Sequence, residues 1–118
     1  MTIAEIQKFC KSLPGVTEDI KWDDHLCFNI GGKLFLVTAP DAVPISASFK
    51  VTDELFASLP ERQGVIPAPY MARHKWVLVD DLNRFSEKEW QQFIRGSYSL
   101  ILEKLSAKFK KSIASDTM

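Results

Sequence analysis

The most constraining stretch of this chain is LCFNI-GG-KLFLVT, which occupies residues 26–38. Two strand-like runs of apolar residues flank the glycine pair Gly31-Gly32. Both glycines can adopt positive φ without steric cost, as the commonest two-residue hairpin turns require. The stretch therefore predicts an antiparallel hairpin, and a sheet built around it is expected to be antiparallel as well.

Counting outward from the turn predicts the register of this hairpin, because opposed residues share one face of a sheet. One face is then mostly apolar and carries the pairs Ile30 with Lys33, Phe28 with Phe35, and Leu26 with Val37. The other face carries Asn29 with Leu34, Cys27 with Leu36, and His25 with Thr38. Because the second face mixes polar and apolar side chains, we expect it to be covered only in part.

Helices are predicted at both ends of the chain. The tetrapeptides TIAE at 2–5 and SEKE at 86–89 have the spacing of a capping box, which satisfies free N–H groups at a helix start. Apolar residues at helical spacing follow each of them and predict helices over about residues 3–13 and 87–108. The polar residues 109–118 are expected to be a frayed tail.

The middle of the chain alternates between strand and turn signals. Residues 16–22 predict a first strand or an extended entry, and residues 45–50 and 75–79 predict two further strands. Thr52 is expected to cap a short helix that closes at Pro60. Segment 61–73 is expected to be irregular, since its two prolines exclude a central strand. The predicted fold class is α+β, with the terminal helices packed on one face of an antiparallel sheet, in a single domain spanning residues 1–108.

Composition places the chain among ordinary globular domains. Of its 118 residues, 46% are hydrophobic and 25% are charged. Cys10 and Cys27 have no CxxC spacing, so we expect two reduced thiols rather than a metal site or a disulfide framework. No basic segment precedes an apolar run at the start, and no apolar run approaches the ~20 residues that cross a bilayer. A cytoplasmic protein with no membrane partner is expected.

The charges balance overall but not along the chain. Fifteen Lys and Arg residues match fifteen Asp and Glu residues, which argues against strong nonspecific attraction to nucleic acid. However, residues 1–61 hold five basic against nine acidic residues, and residues 62–118 hold ten against six. This division indicates polarity in the molecule.

Four stretches of the sequence, taken in order, resemble the MmcQ/YjbR family. They are LPGVTE at 13–18 running on to Trp22, GGKLF at 31–35, GVIPAPY at 64–70 followed by HKWV at 74–77, and IRGSY at 94–98. The resemblance covers about residues 2–106. It implies a CyaY-like fold and a DNA-binding role through a double-wing arrangement, in which β elements approach the duplex. It brings no catalytic residues.

The CyaY-like sheet is similar to that of iron-binding frataxins, which use acidic residues on the first helix and the neighbouring strand. The first helix of this chain has Glu5 as its acidic residue and carries Lys8 and Lys11. An iron-binding role is therefore not expected.

A second place to look for metal or nucleophile chemistry is the stretch containing Asp23, Asp24, His25 and Cys27. His25 and Cys27 stand two apart on a strand, so their side chains lie side by side and do not converge on one point. We expect solvated acids, a polar histidine and a small buried cysteine there, with no metal and no cofactor.

The strongest candidate for a functional surface is the proline-rich crossing PAPY at 67–70 together with RHKW at 73–76. Its prolines stiffen the chain, its aromatic rings offer stacking planes, and its basic side chains offer phosphate contacts. The candidate nucleic-acid-binding residues are Lys33, Lys50, Tyr70, Arg73, His74 and Lys75. Four other aromatic residues are interpreted as core: Trp22, Trp90, Phe93 and Tyr98.

Two functions remain open from the sequence. The first is a non-enzymatic nucleic-acid-binding protein, with DNA as its partner. The alternative is a module that binds an unknown protein or small ligand through Tyr70 and Trp76, and a contiguous apolar pocket without a basic rim would favour it. An enzyme is not expected, because the sequence offers no nucleophile–base pair, phosphate-cradling loop or metal motif.

Overall fold

The computed structural model describes residues 1–116 of the protein. Short 3₁₀ turns at Leu59–Glu61, Ala72–His74 and Leu82–Arg84 join some of the helices and strands. In chain order, the helices and strands are α1 (Ile3–Lys11), β1 (Val16–Lys21), β2 (His25–Ile30), β3 (Lys33–Ala39), β4 (Ser46–Lys50), α2 (Asp53–Ser58), β5 (Val65–Pro67), β6 (Trp76–Val79), α3 (Glu87–Leu102) and α4 (Ala107–Asp116).

The strands form one antiparallel sheet in the order β1-β2-β3-β4-β6-β5. The first four strands form a meander, and β6 then pairs with β4, which leaves β5 at the edge. The sequence predicts segment 61–73 to be irregular, whereas Val65–Pro67 is a strand. Pro67 fits there because an edge strand can lose an N–H on its outer side without breaking the ladder.

The helices α1 and α3 pack on the same face of the sheet and form the core with it. Glu18 of β1 accepts a hydrogen bond from Gln7 and pairs with Lys11, both in α1. From α3, the Tyr98 hydroxyl donates a 2.6 Å hydrogen bond to the carbonyl oxygen of Pro14. Both capping boxes form as predicted. The α+β fold with terminal helices on one face is confirmed.

The register of the central hairpin differs from the prediction. Ile30 faces Lys33 and Asn29 faces Leu34 as expected, but Phe28 faces Leu36 and Leu26 faces Thr38. Phe35 has no partner in β2, so β3 bulges at this residue. Its ring meets the ring of Tyr98 edge-on, with 5.6 Å between centroids. The bulge lets Phe35 and Leu36 both be fully buried in the core.

The C-terminal end also differs from the prediction. A single helix over about residues 87–108 is expected from periodicity, yet α3 ends at Leu102 and α4 begins at Ala107. Of the expected frayed tail at 109–118, residues 109–116 lie in α4, and residues 117–118 lie outside the described part of the chain. Ile113 of α4 is buried in the core cluster. The apolar side chains of α4 explain the helix, since they pack at Gly15 and Gly31.

Candidate binding groove on the open face of the sheet

The face of the sheet turned away from α1 and α3 carries one row of residues that crosses all six strands. Opposed residues in neighbouring strands share a face, so the pairings define the row directly. The row reads Asp19, Cys27, Val37, Ser48, Leu78 and Ile66. It changes from polar at the β1 edge to apolar at the β5 edge, as a partly covered face should.

A groove of about 550 Å³ lies on this open face. Its floor includes Leu34, Val37 and Leu78, and segment 68–75 folds over the sheet to form one wall. No Lys, Arg, Asp or Glu of the described chain lines the groove, and His25 is the one histidine that does. The groove therefore suits an apolar or aromatic group.

Two aromatic residues at the groove are largely exposed. Trp22 enters from the β1–β2 turn and is 65% exposed, and Tyr70 enters from segment 68–75 and is 99% exposed. Both adopt positive φ, at 51° and 66°, which is uncommon for bulky residues. The interpretation of Trp22 as core is therefore wrong: the left-handed turn directs its ring out of the core, where it meets His25 edge-on.

A second, basic pocket of about 480 Å³ adjoins the groove where β3 begins and β4 ends. We call it the lysine pocket, because Lys33, Lys50, Lys104 and His74 line it. Three further residues, Leu34, Met71 and Trp76, line both the groove and the lysine pocket. The two cavities therefore form one continuous surface, apolar along the sheet and cationic at its end.

Lys50 is the most constrained cation in the lysine pocket. Its residue is only 9% exposed, and its ammonium group donates a short hydrogen bond to the carbonyl oxygen of His74. Burial lowers the pKa of Lys50, and the nearby Lys104 and Lys75 lower it further, while Asp53 acts in the opposite direction. The surroundings of the ammonium group therefore disfavour its positive charge, and a bound anion would stabilise that charge.

The six predicted site residues do not all meet at one place. Lys33, Lys50 and His74 line the lysine pocket, and Tyr70 lines the groove. The two remaining residues, Arg73 and Lys75, line neither cavity. Arg73 is exposed beside His74, and Lys75 approaches the ring of Phe56 in α2. The role of all six residues in binding nucleic acid stays a prediction.

Lys104 joins the lysine pocket from the segment after α3, which the sequence pattern assigns to the cationic end of a long helix. No local motif links it to Lys33 or Lys50, because the contact depends on where α3 ends against the sheet. His25 and Trp22 likewise reach the groove through the fold alone. The alternation of strand residues was the available signal for Leu78, whereas Val37 reaches the open face because β3 bulges at Phe35.

Charges are separated between the two ends of the sheet. The connections at 22–24, 40–45 and 80–81 lie at one end and carry five aspartates: Asp23, Asp24, Asp41, Asp80 and Asp81. At the other end, strands β3 and β4 contribute a lysine each and segment 68–75 contributes Arg73, His74 and Lys75, with no acid in that segment. Asp53 and Glu54 begin α2 just after β4 at this same end, so the balanced net charge conceals a basic end, in which cations predominate, and an end rich in aspartates.

Arg62 and Arg84 each form an ion pair with an acidic side chain. Arg62 pairs with Glu89 at 2.6 Å, and Arg84 pairs with Asp80 at 2.9 Å. Arg62 also lies over the ring of Phe85. Neither arginine therefore extends the basic end of the sheet.

The residues around His25 form no converging site. His25 contacts the carboxylate of Asp24 at 2.7 Å through Nδ1, while the Cys27 thiol is buried and donates to the backbone carbonyl of His25. Burial, followed by the charge of Asp19, raises the pKa of the Cys27 thiol. Among the side chains of residues 1–113, no three His, Cys, Asp or Glu residues lie close enough together to hold a metal ion.

Comparison with family models gives a match to YjbR over residues 11–100, which is most of the chain. This chain belongs to the YjbR family. As a YjbR protein it has the expected open-faced α+β architecture, and the match includes both hairpin connections at the basic end of the sheet. No match was found among curated proteins.

Solved structures share the fold of this YjbR protein. The Deinococcus radiodurans protein DR2400, with the domain DUF419, is similar over 96% of this chain and 88% of its own, at 24% identity and a TM-score of 0.86. A Pseudomonas syringae protein is similar over 85% of this chain and 98% of its own, at 22% identity and a TM-score of 0.69. At these identities the likeness concerns the fold. Across the described residues, no helix has the length and apolarity to span a bilayer.

Proposed function

We propose that this protein is a non-enzymatic nucleic-acid-binding module that contacts its ligand with the basic end of the sheet. The observation that carries the proposal is the end-to-end separation of charge. Lys33, Lys50 and segment 68–75 bring cations together at one end, while five aspartates occupy the other. Phosphate groups are attracted to such a surface even where the whole protein is neutral.

The exposed aromatic rings give the surface a means of contacting bases. Tyr70 is in the same segment as Arg73 and His74, and its ring is almost completely exposed. An aromatic ring beside phosphate-binding cations is typical of proteins that stack the bases of a single strand. The apolar groove behind Tyr70 could hold an unstacked base, whereas a base inside a duplex could not enter it. We therefore propose single strands as the preferred ligand.

The proposed non-enzymatic role is supported by the state of the two thiols. Cys10 and Cys27 are both fully buried, and burial raises the pKa of each thiol, so neither is a ready nucleophile. His25, the histidine at the groove, contacts Asp24 but has no thiol or hydroxyl nucleophile among its hydrogen-bond partners in residues 1–116. This arrangement supports a binding role for the groove.

The test is fluorescence anisotropy with a labelled single strand and a labelled duplex at low and moderate salt. The test variant combines Arg73→Ala with Lys75→Asn, because Lys75 adopts a φ of 65° that asparagine tolerates. The matched control combines Lys8→Ala with Lys88→Ala, which removes two charges from exposed positions on α1 and α3. Circular dichroism checks that each variant folds.

We expect the single strand to bind more tightly than the duplex, with an affinity that falls as salt rises. The test variant should weaken binding by roughly tenfold or more, because each phosphate contact contributes a charge-assisted bond, and the control should bind as the unmodified protein does. Absence of binding to either ligand at low salt would contradict the proposal, as would equal weakening by the two double variants.

A second candidate function is docking of an apolar ligand or protein segment in the groove. The specific observation in its favour is the groove lining, which within the described chain includes no Lys, Arg, Asp or Glu. Leu78→Lys places a charge on the floor of the groove at a half-buried position. If this function holds, Leu78→Lys abolishes binding of a hydrophobic fluorescent dye that the unmodified protein retains at high salt. If the unmodified protein binds no dye, this function is excluded.

A further inference from the structure

The lysine pocket differs from an ordinary basic surface because several cations line it and no acidic residue of the described chain does. None of the ion pairs formed among the side chains of residues 1–113 involves Lys33, Lys50 or Lys104. Three ammonium groups thus face one cavity without a carboxylate between them. The charge of Asp53 acts on Lys50 from outside the pocket lining, so the cavity itself remains cationic and is a site for an anion of more than one charge.

The burial of Lys50 distinguishes this site from a group of solvent-exposed lysines on a protein surface. An ammonium group can donate three hydrogen bonds. Among the described residues, the ammonium group of Lys50 donates to one acceptor, the carbonyl oxygen of His74. Burying an ammonium group is costly unless a counter-ion and further hydrogen bonds compensate for it. An anion seated in the pocket would supply both, so the pocket is organised for a ligand group that carries negative charge and several acceptor oxygens.

The number of cations in the pocket indicates which part of a ligand this group is. The lysine pocket is bounded on the helix side by Ile101 and Leu105, shares Leu34 and Trp76 with the groove, and is open to solvent beside the exposed Lys33, His74 and Lys104. A terminal phosphomonoester offers these cations three free oxygens and up to two negative charges, whereas an internal phosphodiester offers two free oxygens and one charge. The three lysines therefore favour a terminal group.

We propose that the lysine pocket binds the terminal phosphate of a nucleotide, whose base lies in the adjoining groove. This inference rests on the proposed function, and it specifies the ligand chemistry as a phosphomonoester joined to an aromatic base. A phosphomonoester carries a charge of about −1.5 to −2 at pH 7 and three acceptor oxygens, which match the three lysines. The ligand is either a free nucleotide or the 5′-phosphorylated end of a single strand.

The first experiment is titration calorimetry with adenosine and thymidine 5′-monophosphates, the two nucleosides without phosphate, and inorganic phosphate. The test variant is Lys104→Ala, because Lys104 is exposed and its loss should not disturb the core. Lys50→Met is a second variant that keeps the buried stem without the charge. The control is Lys88→Ala, an exposed lysine near the start of α3.

We expect at least one monophosphate to bind about tenfold or more tightly than its nucleoside, since charge-assisted bonds to phosphate are the strong ones. Lys104→Ala should weaken monophosphate binding by a similar factor and leave nucleoside binding unchanged, and Lys88→Ala should change neither. Weak binding of inorganic phosphate that disappears in Lys104→Ala would support the same site. The inference is overturned if neither monophosphate binds, if both bind no better than their nucleosides, or if Lys104→Ala has no effect.

A second arm separates the two ligand sources and keeps this inference distinct from the proposed function. It compares a single strand of about six nucleotides with and without a 5′-phosphate, a length within the usual site size. Tighter binding of the phosphorylated strand identifies strand ends as ligands. Equal binding of both strands overturns the terminal-phosphate site but leaves the proposed function standing. Binding of free monophosphates with no binding of either strand supports the site and contradicts the proposed function.

Discussion

The hydroxyl group of Ser97 in α3 donates a hydrogen bond of 2.6 Å to the carbonyl oxygen of Phe35, the residue at which β3 bulges. The same hydroxyl oxygen accepts a hydrogen bond of 3.0 Å from the backbone N–H of Lys50. A single buried side chain thus satisfies one polar group on β3 and one on β4. This contact fixes the end of the sheet from which Lys33 and Lys50 reach the lysine pocket.

Ser97→Ala should destabilise the protein by about 1–3 kcal/mol, because it leaves a buried carbonyl and a buried N–H without their partner. Urea unfolding followed by tryptophan fluorescence measures this change. The matched control is Ser99→Ala in the same helix, at an exposed position, and it should stay within about 0.5 kcal/mol of the unmodified protein. Equal stability of the two variants would contradict the prediction.

Tyr70→Gly should separate binding from stability. Tyr70 has a φ of 66° and is 99% exposed, so glycine removes a backbone cost without removing packing. We expect the free energy of unfolding to stay the same or rise by up to about 1 kcal/mol. Single-strand affinity should fall by about tenfold, as the loss of one stacked base implies. Anisotropy and urea titrations measure the two quantities, and Tyr70→Asn, which also tolerates positive φ, should behave alike. Undiminished affinity would exclude Tyr70 from the interface.

The ion pair between Arg62 and Glu89 predicts a pH dependence of stability. The hydrogen bond from Arg62, and then that from the backbone of Ser86, hold the pKa of Glu89 below its usual value. A lowered pKa in the folded state means that ionised Glu89 stabilises the fold above its unfolded pKa of about 4.3. This contribution is lost as the pH falls through the lowered folded pKa.

Glu89→Gln tests this contribution while keeping the capping box, which accepts either residue. At pH 7 the variant should be less stable by under about 1 kcal/mol, since the pair is partly exposed and screened by solvent. The difference should vanish in acid. Glu87→Gln, in the same helical turn, is the control for the interaction with the helix dipole. If both variants lose equal stability at pH 7, the ion pair contributes nothing beyond that interaction.

The two cysteines should be unreactive in the folded protein. Burial, and then the charge of Glu18, raises the pKa of Cys10 to about 12, and burial raises the pKa of Cys27 as well. Because the thiolate is the reactive form, an aromatic disulfide reagent at pH 8 should label neither thiol on the timescale of minutes. Denaturant should expose both at once. Rapid labelling of one thiol without denaturant would show that its burial is incomplete.

Ile113→Ala should test whether α4 belongs to the folded core. Ile113 is buried, and its side chain and that of Ile30 both lie against Gly15. Its truncation should lower the free energy of unfolding by about 2 kcal/mol or more, as expected for a buried isoleucine. Lys111→Ala is an exposed control in the same helix and should have little effect. No loss of stability in Ile113→Ala would contradict the packing of α4.

The sequence predicted the elements of the fold better than the contacts between them. The Gly31-Gly32 turn and the two capping boxes are local signals, and each formed where expected. The bulge at Phe35 depends instead on a hydroxyl group 62 residues away in the chain, so no pattern within the hairpin could reveal it. A register counted from the turn therefore failed beyond Leu34.

The candidate site was only partly predictable, for a related reason. Strand alternation predicts that Lys50 points outward and is exposed, yet segment 68–75 folds over it and its residue is buried. Hydrophobicity suggests that Trp22 is core, although the positive φ at this turn directs its ring to the surface. Lys104 joins the site because α3 ends at Leu102, a boundary that apolar periodicity alone does not set.

The excess of aspartates at one end of the sheet and of cations at the other contributes an electric dipole moment along the strands. A neutral molecule with such a moment feels no net pull in a uniform field, but it feels a torque. The field close to a polyanion would therefore rotate the protein until the lysine end of the sheet points toward the polyanion, before the two molecules are in contact. Orientation would thus be selected during the approach, and added salt would shorten the distance over which this happens.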